Sequence, residues 1–118
     1  MDTYVTTHVL DTARGRPGDG MRIEVSRWDG SDWRLLKTTR TDAGGRTDEP
    51  LVAAEELEPG PHRVTFHVGE YFASHHVPTA DPPYLDRVPV EVNLAADGGH
   101  YHLPLVVSPW GYTTYRGG

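Results

Sequence analysis

Short apolar stretches that alternate strictly with other residues most constrain the fold of this chain. In the stretch 87–94, every second residue is Val or Leu, and the same period of two recurs at 62–68 and 21–27. Because successive side chains lie on opposite faces of a β-strand, each stretch predicts a strand with one buried face. Ten prolines and thirteen glycines are spread between the apolar stretches. This rhythm is typical of an all-β sandwich or barrel.

The pattern predicts eight strands separated by turns rich in Gly, Asp and Pro. We place them at 4–11, 21–28, 33–41, 49–52, 62–69, 87–94, 99–107 and 112–116. One short helix is expected over 69–76, where the prolines that follow would stop it. Eight short strands suggest two four-stranded sheets packed face to face. Because 118 residues suit one domain, we predict a single domain over 1–118.

Charge and composition argue against several classes of function. The formal net charge of −6 disfavours binding to nucleic acid, which normally requires a basic face. The absence of cysteine excludes disulfides and thiolate zinc sites. The first residues lack the basic and apolar segments of a signal peptide, and no apolar run is long enough to span a membrane. We therefore expect a cytoplasmic location and no membrane association.

Histidines are frequent, and three of them lie on outward faces of predicted strands. His100 and His102 share one face of the strand 99–107, while the opposite face carries core residues. His8 likewise lies opposite the face of the first strand that carries the valines. Solvated surface histidines are the more common meaning of an isolated His-x-His pattern, and a shared metal ion is the alternative. The remaining histidines are predicted to be surface residues: His62, His67, His75 and His76.

Arg46 directly follows a tight turn in the segment 41–48, in which Asp42 and two glycines supply the turn chemistry. This segment alone favours a hairpin turn followed by a solvated arginine. The alternative is a guanidinium beside a site, where its forked donors would suit a carboxylate or an imide-like pair of oxygens. Composition alone does not connect Arg46 with the histidines or with the end of the chain.

Several short motifs together resemble one known family. They are Thr6-Thr7-His8-Val9-Leu10-Asp11, Gly15-Arg16-Pro17, Thr41-Asp42-Ala43-Gly44-Gly45-Arg46 and the segment from Tyr101 to Gly117, YHLPLVVSPWGYTTYRG. In order and spacing they resemble the 5-hydroxyisourate hydrolases, also called transthyretin-like proteins. Each motif is weak alone, but the set runs through the whole chain and includes the Tyr-Arg-Gly ending that transthyretin itself lacks.

This resemblance implies a fold and an assembly. The fold would be a transthyretin-like sandwich of two four-stranded sheets with one short helix. The family forms a homotetramer, a dimer of dimers, with active sites in a channel between dimers on the outward face of one sheet. The first and seventh strands would be neighbours there, so that His8 and His102 would converge.

The resemblance also implies a reaction, the hydrolysis of 5-hydroxyisourate to 2-oxo-4-hydroxy-4-carboxy-5-ureidoimidazoline in urate degradation. Water attacks a ring carbonyl and a cyclic amide C–N bond opens. His8 and His102 would position and deprotonate the water, and Arg46 would bind the substrate's oxygens and stabilise negative charge. The end of the chain would close the site and bind substrate, through Tyr115, Arg116, Gly117 and Gly118.

The chain departs from the family at its last residue, where Gly118 stands in place of the usual serine. This chain therefore has no serine hydroxyl at position 118 to bind substrate or the catalytic water. Two other functions are considered. One is a transthyretin-like carrier of small aromatic ligands without catalysis, against which the retained histidines argue. The other is a zinc hydrolase with His8, His100 and His102 as ligands, whereas the resemblance implies a reaction without metal or cofactor.

Overall fold

The computed structural model describes residues 2–118 and contains two four-stranded β-sheets. Met1, which belongs to the predicted domain 1–118, lies outside the described residues. One sheet has the strand order β2-β1-β7-β8, and the other has the order β4-β3-β5-β6. The strands are β1 (Tyr4–Asp11), β2 (Arg16–Pro17), β3 (Arg22–Trp28), β4 (Trp33–Arg40), β5 (Gly60–His67), β6 (Arg87–Leu94), β7 (His100–Ser108) and β8 (Gly111–Thr114).

In the described part of the chain, residues 2–118, two short helical segments connect the strands. A 3-10 turn covers Ala54–Glu56, and the helix α1 covers Val68–Ser74 between β5 and β6. The predicted sandwich of two four-stranded sheets with one short α-helix is therefore confirmed. Among residues 2–118, no helix combines the length and the apolar character that crossing a bilayer requires.

The hydrophobic core lies between the two sheets and is built by the alternation seen in the sequence. In β1, buried and half-buried residues alternate along the whole strand. The helix α1 adds Tyr71 and Phe72 to the core. The hydroxyl of Tyr71 donates a hydrogen bond of 2.6 Å to the buried carboxylate of Asp11, which ties the helix to the end of β1.

One predicted strand is wrong and another was missed. The segment 49–52 forms only an isolated bridge between Val52 and Val5. Pro50 has no backbone N–H, so the segment cannot continue a ladder on both sides of that bridge. The strand that the sequence did not predict is the two-residue β2, which pairs with the end of β1. The sequence had predicted a turn there, and Pro17 is accommodated because β2 is an edge strand.

His62 and His67 are buried, which corrects the prediction that both are surface residues. His62 is 1% exposed because it lies at the same strand parity as Val64 and Phe66, and therefore faces the core. His67 is 6% exposed although its parity is outward. Arg22 and Glu24 of the neighbouring strand β3 contact both nitrogens of its ring.

Candidate active site

The pairing of β1 with β7 brings the first and last histidine motifs onto one face. The two strands run parallel, with Thr6 opposite His102 and His8 opposite Pro104. Side chains two residues apart lie on the same face of a strand, so Thr6 and His8 share the outward face with His100 and His102. The predicted placement of these histidines away from the core is therefore observed.

Thr6 connects the two histidines of β7. Its Oγ1 lies 2.7 Å from Nε2 of His100 and 2.8 Å from Nδ1 of His102. The ring of His100 also stacks on Tyr4, with centroids 4.5 Å apart and planes within 8°. His100 is exposed and His102 is half-buried. Sequence reasoning assigned no role to Thr6, although its position two residues before His8 already places it on this face.

Arg46 reaches the same face through a loop fastened to β1. The carboxylate of Asp42 accepts hydrogen bonds from the N–H groups of Gly44 and Arg46, and the carbonyl of Gly45 accepts one of 2.8 Å from Val9. Gly45 adopts a φ of 77° and packs so closely on Val9 that a side chain there would meet the Val9 carbonyl. The turn predicted around Asp42 is therefore present, and it presents Arg46 beside the histidines rather than to bulk solvent alone.

The end of the chain returns to His102. The N–H of Gly117 donates a hydrogen bond of 2.7 Å to the carbonyl of His102. A Cβ on Gly117 would lie 2.8 Å from Cδ2 of the His102 ring, closer than real side chains approach. Glycine at this position lets the backbone pack directly against the imidazole.

Arg46, His100, His102 and Gly118 line a cleft of about 540 Å³, together with Thr6. Two acidic residues, Asp48 and Glu49, lie on the loop side of this cleft, and neither was singled out from the sequence. His8 does not line it, but lies one step along the same strand face as Thr6.

Tyr115 and Arg116 are placed differently from Gly117 and Gly118. Both line a second cavity of about 400 Å³, which His102 also borders. The guanidinium of Arg116 stacks over Tyr101 at 4.1 Å and donates a hydrogen bond of 2.9 Å to the carbonyl of Gly98. Arg116 therefore binds Tyr101 and Gly98 and does not line the cleft that Arg46 lines.

The electrostatics of the cleft favour a neutral His102. Burial lowers the pKa of His102 below its ordinary value, and the positive charge of Arg46 lowers the pKa further. His100 and His8 contribute in the same direction. A histidine that is unprotonated near neutral pH can accept a proton from water, so this ring has the protonation state that a general base requires.

The three outward histidines do not form a ligand set for a metal in this structure. Among residues 2–118, no three His, Asp or Glu side chains are grouped so that they could hold a metal ion. Nε2 of His100 and Nδ1 of His102 both face the hydroxyl of Thr6.

Comparison with known proteins decides the family. The model of the HIUase/Transthyretin family matches residues 5–117. The chain belongs to the HIUase/Transthyretin family. A relative from Deinococcus radiodurans, named 5-hydroxyisourate hydrolase, is 46% identical over 113 residues, which are 96% of this chain and 94% of the relative. The predicted family is therefore confirmed.

Solved structures agree with this family assignment. The structure of Klebsiella pneumoniae 5-hydroxyisourate hydrolase is similar with a TM-score of 0.80 and 29% identity, and the match covers 98% of this chain and 94% of that one. The crystal structure of (S)-allantoin synthase gives a TM-score of 0.91 and 38% identity over 99% of this chain. That match covers 44% of the synthase, so this member of the HIUase/Transthyretin family spans less than half of that protein's length.

Proposed function

We propose that this protein is a 5-hydroxyisourate hydrolase. The observation that carries the proposal is the cleft that Arg46 lines together with His102, whose pKa is lowered by burial and by the charge of Arg46. Relatives that share 46% and 44% of their residues with this chain, over nearly its whole length, are named 5-hydroxyisourate hydrolases. A carrier of aromatic ligands has no need of a base, so this arrangement favours the enzyme over the transthyretin-like carrier.

The proposed reaction opens a cyclic amide by attack of water. His102 takes a proton from the water at its cleft-facing edge, with His8 as the second histidine of the pair. Arg46 donates hydrogen bonds to the substrate's oxygens and stabilises the negative charge that develops on the attacked carbonyl. The leaving ring nitrogen then receives the proton that the histidine had accepted, so that no net proton is gained or lost.

The remaining parts of the site are also proposed. Gly117 and Gly118 bound the cleft beside His102, and Tyr115 and Arg116 bind substrate from the second cavity once the assembly is complete.

We propose a homotetramer, a dimer of dimers, in which the outward face of the β2-β1-β7-β8 sheet lines a channel. Light scattering of the purified protein would test this assembly. A single domain over 1–118 and a cytoplasmic location also stay predictions.

The experiment that tests the function is an ultraviolet absorbance assay with freshly made 5-hydroxyisourate. The protein is expected to remove the absorbance faster than spontaneous decay. His8→Ala and His102→Ala should each lose most of kcat, because general acid–base groups contribute roughly 100- to 10,000-fold. His75→Ala, at the end of α1, is the matched control and should keep wild-type activity. Wild-type rates in both site variants would refute the assignment.

Chelation tests the zinc alternative separately. Full activity after treatment with a strong chelator is expected if the histidines act without metal. Loss of activity that returns with added zinc would replace the proposed mechanism by metal-assisted hydrolysis.

A further inference from the structure

Thr6 occupies the centre of the histidine cluster, and its hydroxyl group sets a constraint on both rings. A hydroxyl carries one hydrogen and can donate to only one of two acceptors. The distances of 2.7 Å to Nε2 of His100 and 2.8 Å to Nδ1 of His102 are both those of hydrogen bonds. At least one of the two rings must therefore donate to Thr6, and when Thr6 donates to one ring the other ring is the donor. The tautomers of the two histidines are coupled through a single hydrogen.

Two neighbours contact the ring of His102 at Nδ1 and Cδ2, the two ring atoms closest to its own backbone. Thr6 engages Nδ1 on one edge, and the backbone of Gly117 packs against Cδ2 on the other. Thr6 thereby occupies Nδ1, and Nε2 is the ring nitrogen farther from the backbone of β7. Within residues 2–118, Nε2 of His102 makes no hydrogen bond, while the residue itself lines the cleft with Arg46. Nε2 is therefore the nitrogen available to a water molecule or a substrate.

We propose that the hydroxyl of Thr6 holds His102 in the tautomer that leaves Nε2 free to act as the base, and that it relays a proton from His102 to His100. The relay rests on the proposed hydrolase function. In the resting state, Nδ1–H of His102 donates to Thr6, and Thr6 donates to Nε2 of His100. This leaves Nε2 of His102 unprotonated toward the cleft. His100, as the acceptor, carries its own hydrogen on Nδ1.

Proton uptake then follows a balanced path. When Nε2 of His102 takes a proton from water, its Nδ1 hydrogen moves to the oxygen of Thr6, and the Thr6 hydrogen moves to Nε2 of His100. His102 is neutral again, and His100 carries the positive charge. His100 is exposed, so water solvates that charge, whereas the half-buried His102 faces Arg46 and His8. The reverse path returns the proton to the leaving nitrogen.

The test compares Thr6→Val, which keeps the β-branched shape and removes the hydroxyl, with Thr6→Ser, which keeps the hydroxyl. Thr12→Val is the matched control, because Thr12 also bonds to β7, through the Val107 carbonyl, but touches no histidine. Thermal unfolding and light scattering first establish that each variant is folded and assembled. Two measurements follow. Steady-state kinetics give kcat and KM for 5-hydroxyisourate, and NMR spectra give the ¹⁵N shifts of the histidine rings.

In the wild type, the ring spectra are expected to show His102 protonated at Nδ1 above its pKa. Thr6→Val should lose this tautomer and lower kcat by about 100-fold with little change in KM, a loss at the low end of general acid–base contributions. Thr6→Ser should restore both readouts, and Thr12→Val should leave both unchanged. The acid limb of the pH profile should move in Thr6→Val only. The other charged or titratable groups around His102 are the same in all variants: His8, His100, Arg46 and the cleft acids Asp48 and Glu49.

Wild-type kcat and an unchanged His102 tautomer in Thr6→Val would overturn the proposal. So would equal losses in Thr6→Val and Thr6→Ser, which would indicate packing rather than the hydroxyl. His100→Phe keeps the stack on Tyr4 and removes the ring nitrogens; wild-type kcat in this variant would overturn the transfer of charge to His100. A wild type without hydrolase activity would refute the proposed function, and the ring spectra alone would still decide how Thr6 holds His102.

Discussion

Gly117→Ala is the substitution whose effect the structure defines most sharply. The added Cβ would lie 2.8 Å from Cδ2, 3.2 Å from Cβ and 3.3 Å from Cγ of His102. Carbon atoms in favourable contact lie about 3.5–4.0 Å apart, so the nearest contact is about 0.7 Å too short. The backbone of Gly117 lies outside the left-handed region, so alanine causes no strain other than this contact.

The neighbourhood cannot absorb the clash without moving His102. The ring cannot shift toward its opposite edge, because Nδ1 is already 2.8 Å from the hydroxyl of Thr6. Either the ring turns out of that hydrogen bond, or the 2.7 Å bond from Gly117 N–H to the His102 carbonyl opens. Both changes displace Nε2 of His102 relative to the cleft. A misplacement of about 1 Å can cost on the order of 100-fold in rate.

We therefore expect Gly117→Ala to lower kcat/KM for 5-hydroxyisourate by about 100-fold, which corresponds to about 2.7 kcal/mol of transition-state stabilisation. The free energy of unfolding should change by less than about 1 kcal/mol, because the residue lies near the chain end and outside the core. Gly111→Ala is the control, since a Cβ there meets no atom within 4 Å. Wild-type kcat/KM in Gly117→Ala, with unchanged ¹⁵N shifts of the His102 ring, would refute this reasoning, as would an equal loss in Gly111→Ala.

Three further predictions concern charge, burial and the last residue. Arg46→Gln should move the acid limb of kcat/KM upward, toward pH 6.5, because the positive charge that helps to lower the pKa of His102 is removed; an unmoved limb contradicts this. Burial lowers the pKa of His62 below 6.5, so the unfolded chain binds its proton more readily and the free energy of unfolding should fall as pH drops below about 6.5. His62→Leu should flatten that fall by up to about 1.4 kcal/mol per pH unit in urea unfolding, and an identical slope would count against it. Gly118→Ser restores the residue usual in the family and should raise kcat in the absorbance assay if a hydroxyl at the cleft binds substrate or water; an equal or lower kcat would exclude that role.

Much of the fold could be read from local patterns. The strands 4–11 and 87–94 were predicted with the bounds that the structure has, because each alternates over its full length. The prediction of a strand at 49–52 was wrong because apolar residues indicate burial but not whether the backbone forms a β-ladder. Pro50 prevents a ladder there. His62 could have been predicted as buried, since its strand parity is that of Phe66; the residue type was given more weight than the period.

The members of the candidate site stay a prediction, and the sequence could not give their arrangement. The motifs named His8, Arg46, His102 and the end of the chain as members of one site. Their spacing along the sequence could not say that Thr6, rather than His8, lies opposite His102. Nor could it say that Arg116 stacks on Tyr101 instead of entering the cleft with Arg46.

The sequence by itself determined the sheet sandwich, the family and the outward direction of His8, His100 and His102. These depend on local alternation of side chains and on short motifs, which are properties of neighbouring residues. Only the tertiary structure decided the contacts among Thr6, His100, His102 and Gly117. Thr6 is 94 and 96 positions from the two histidines, and the register of β1 on β7 brings them together. The contact of Gly117 with His102 depends on the return of the chain end. Local alternation fixes which face of each strand is buried, but it does not say which residue of β7 lies opposite which residue of β1.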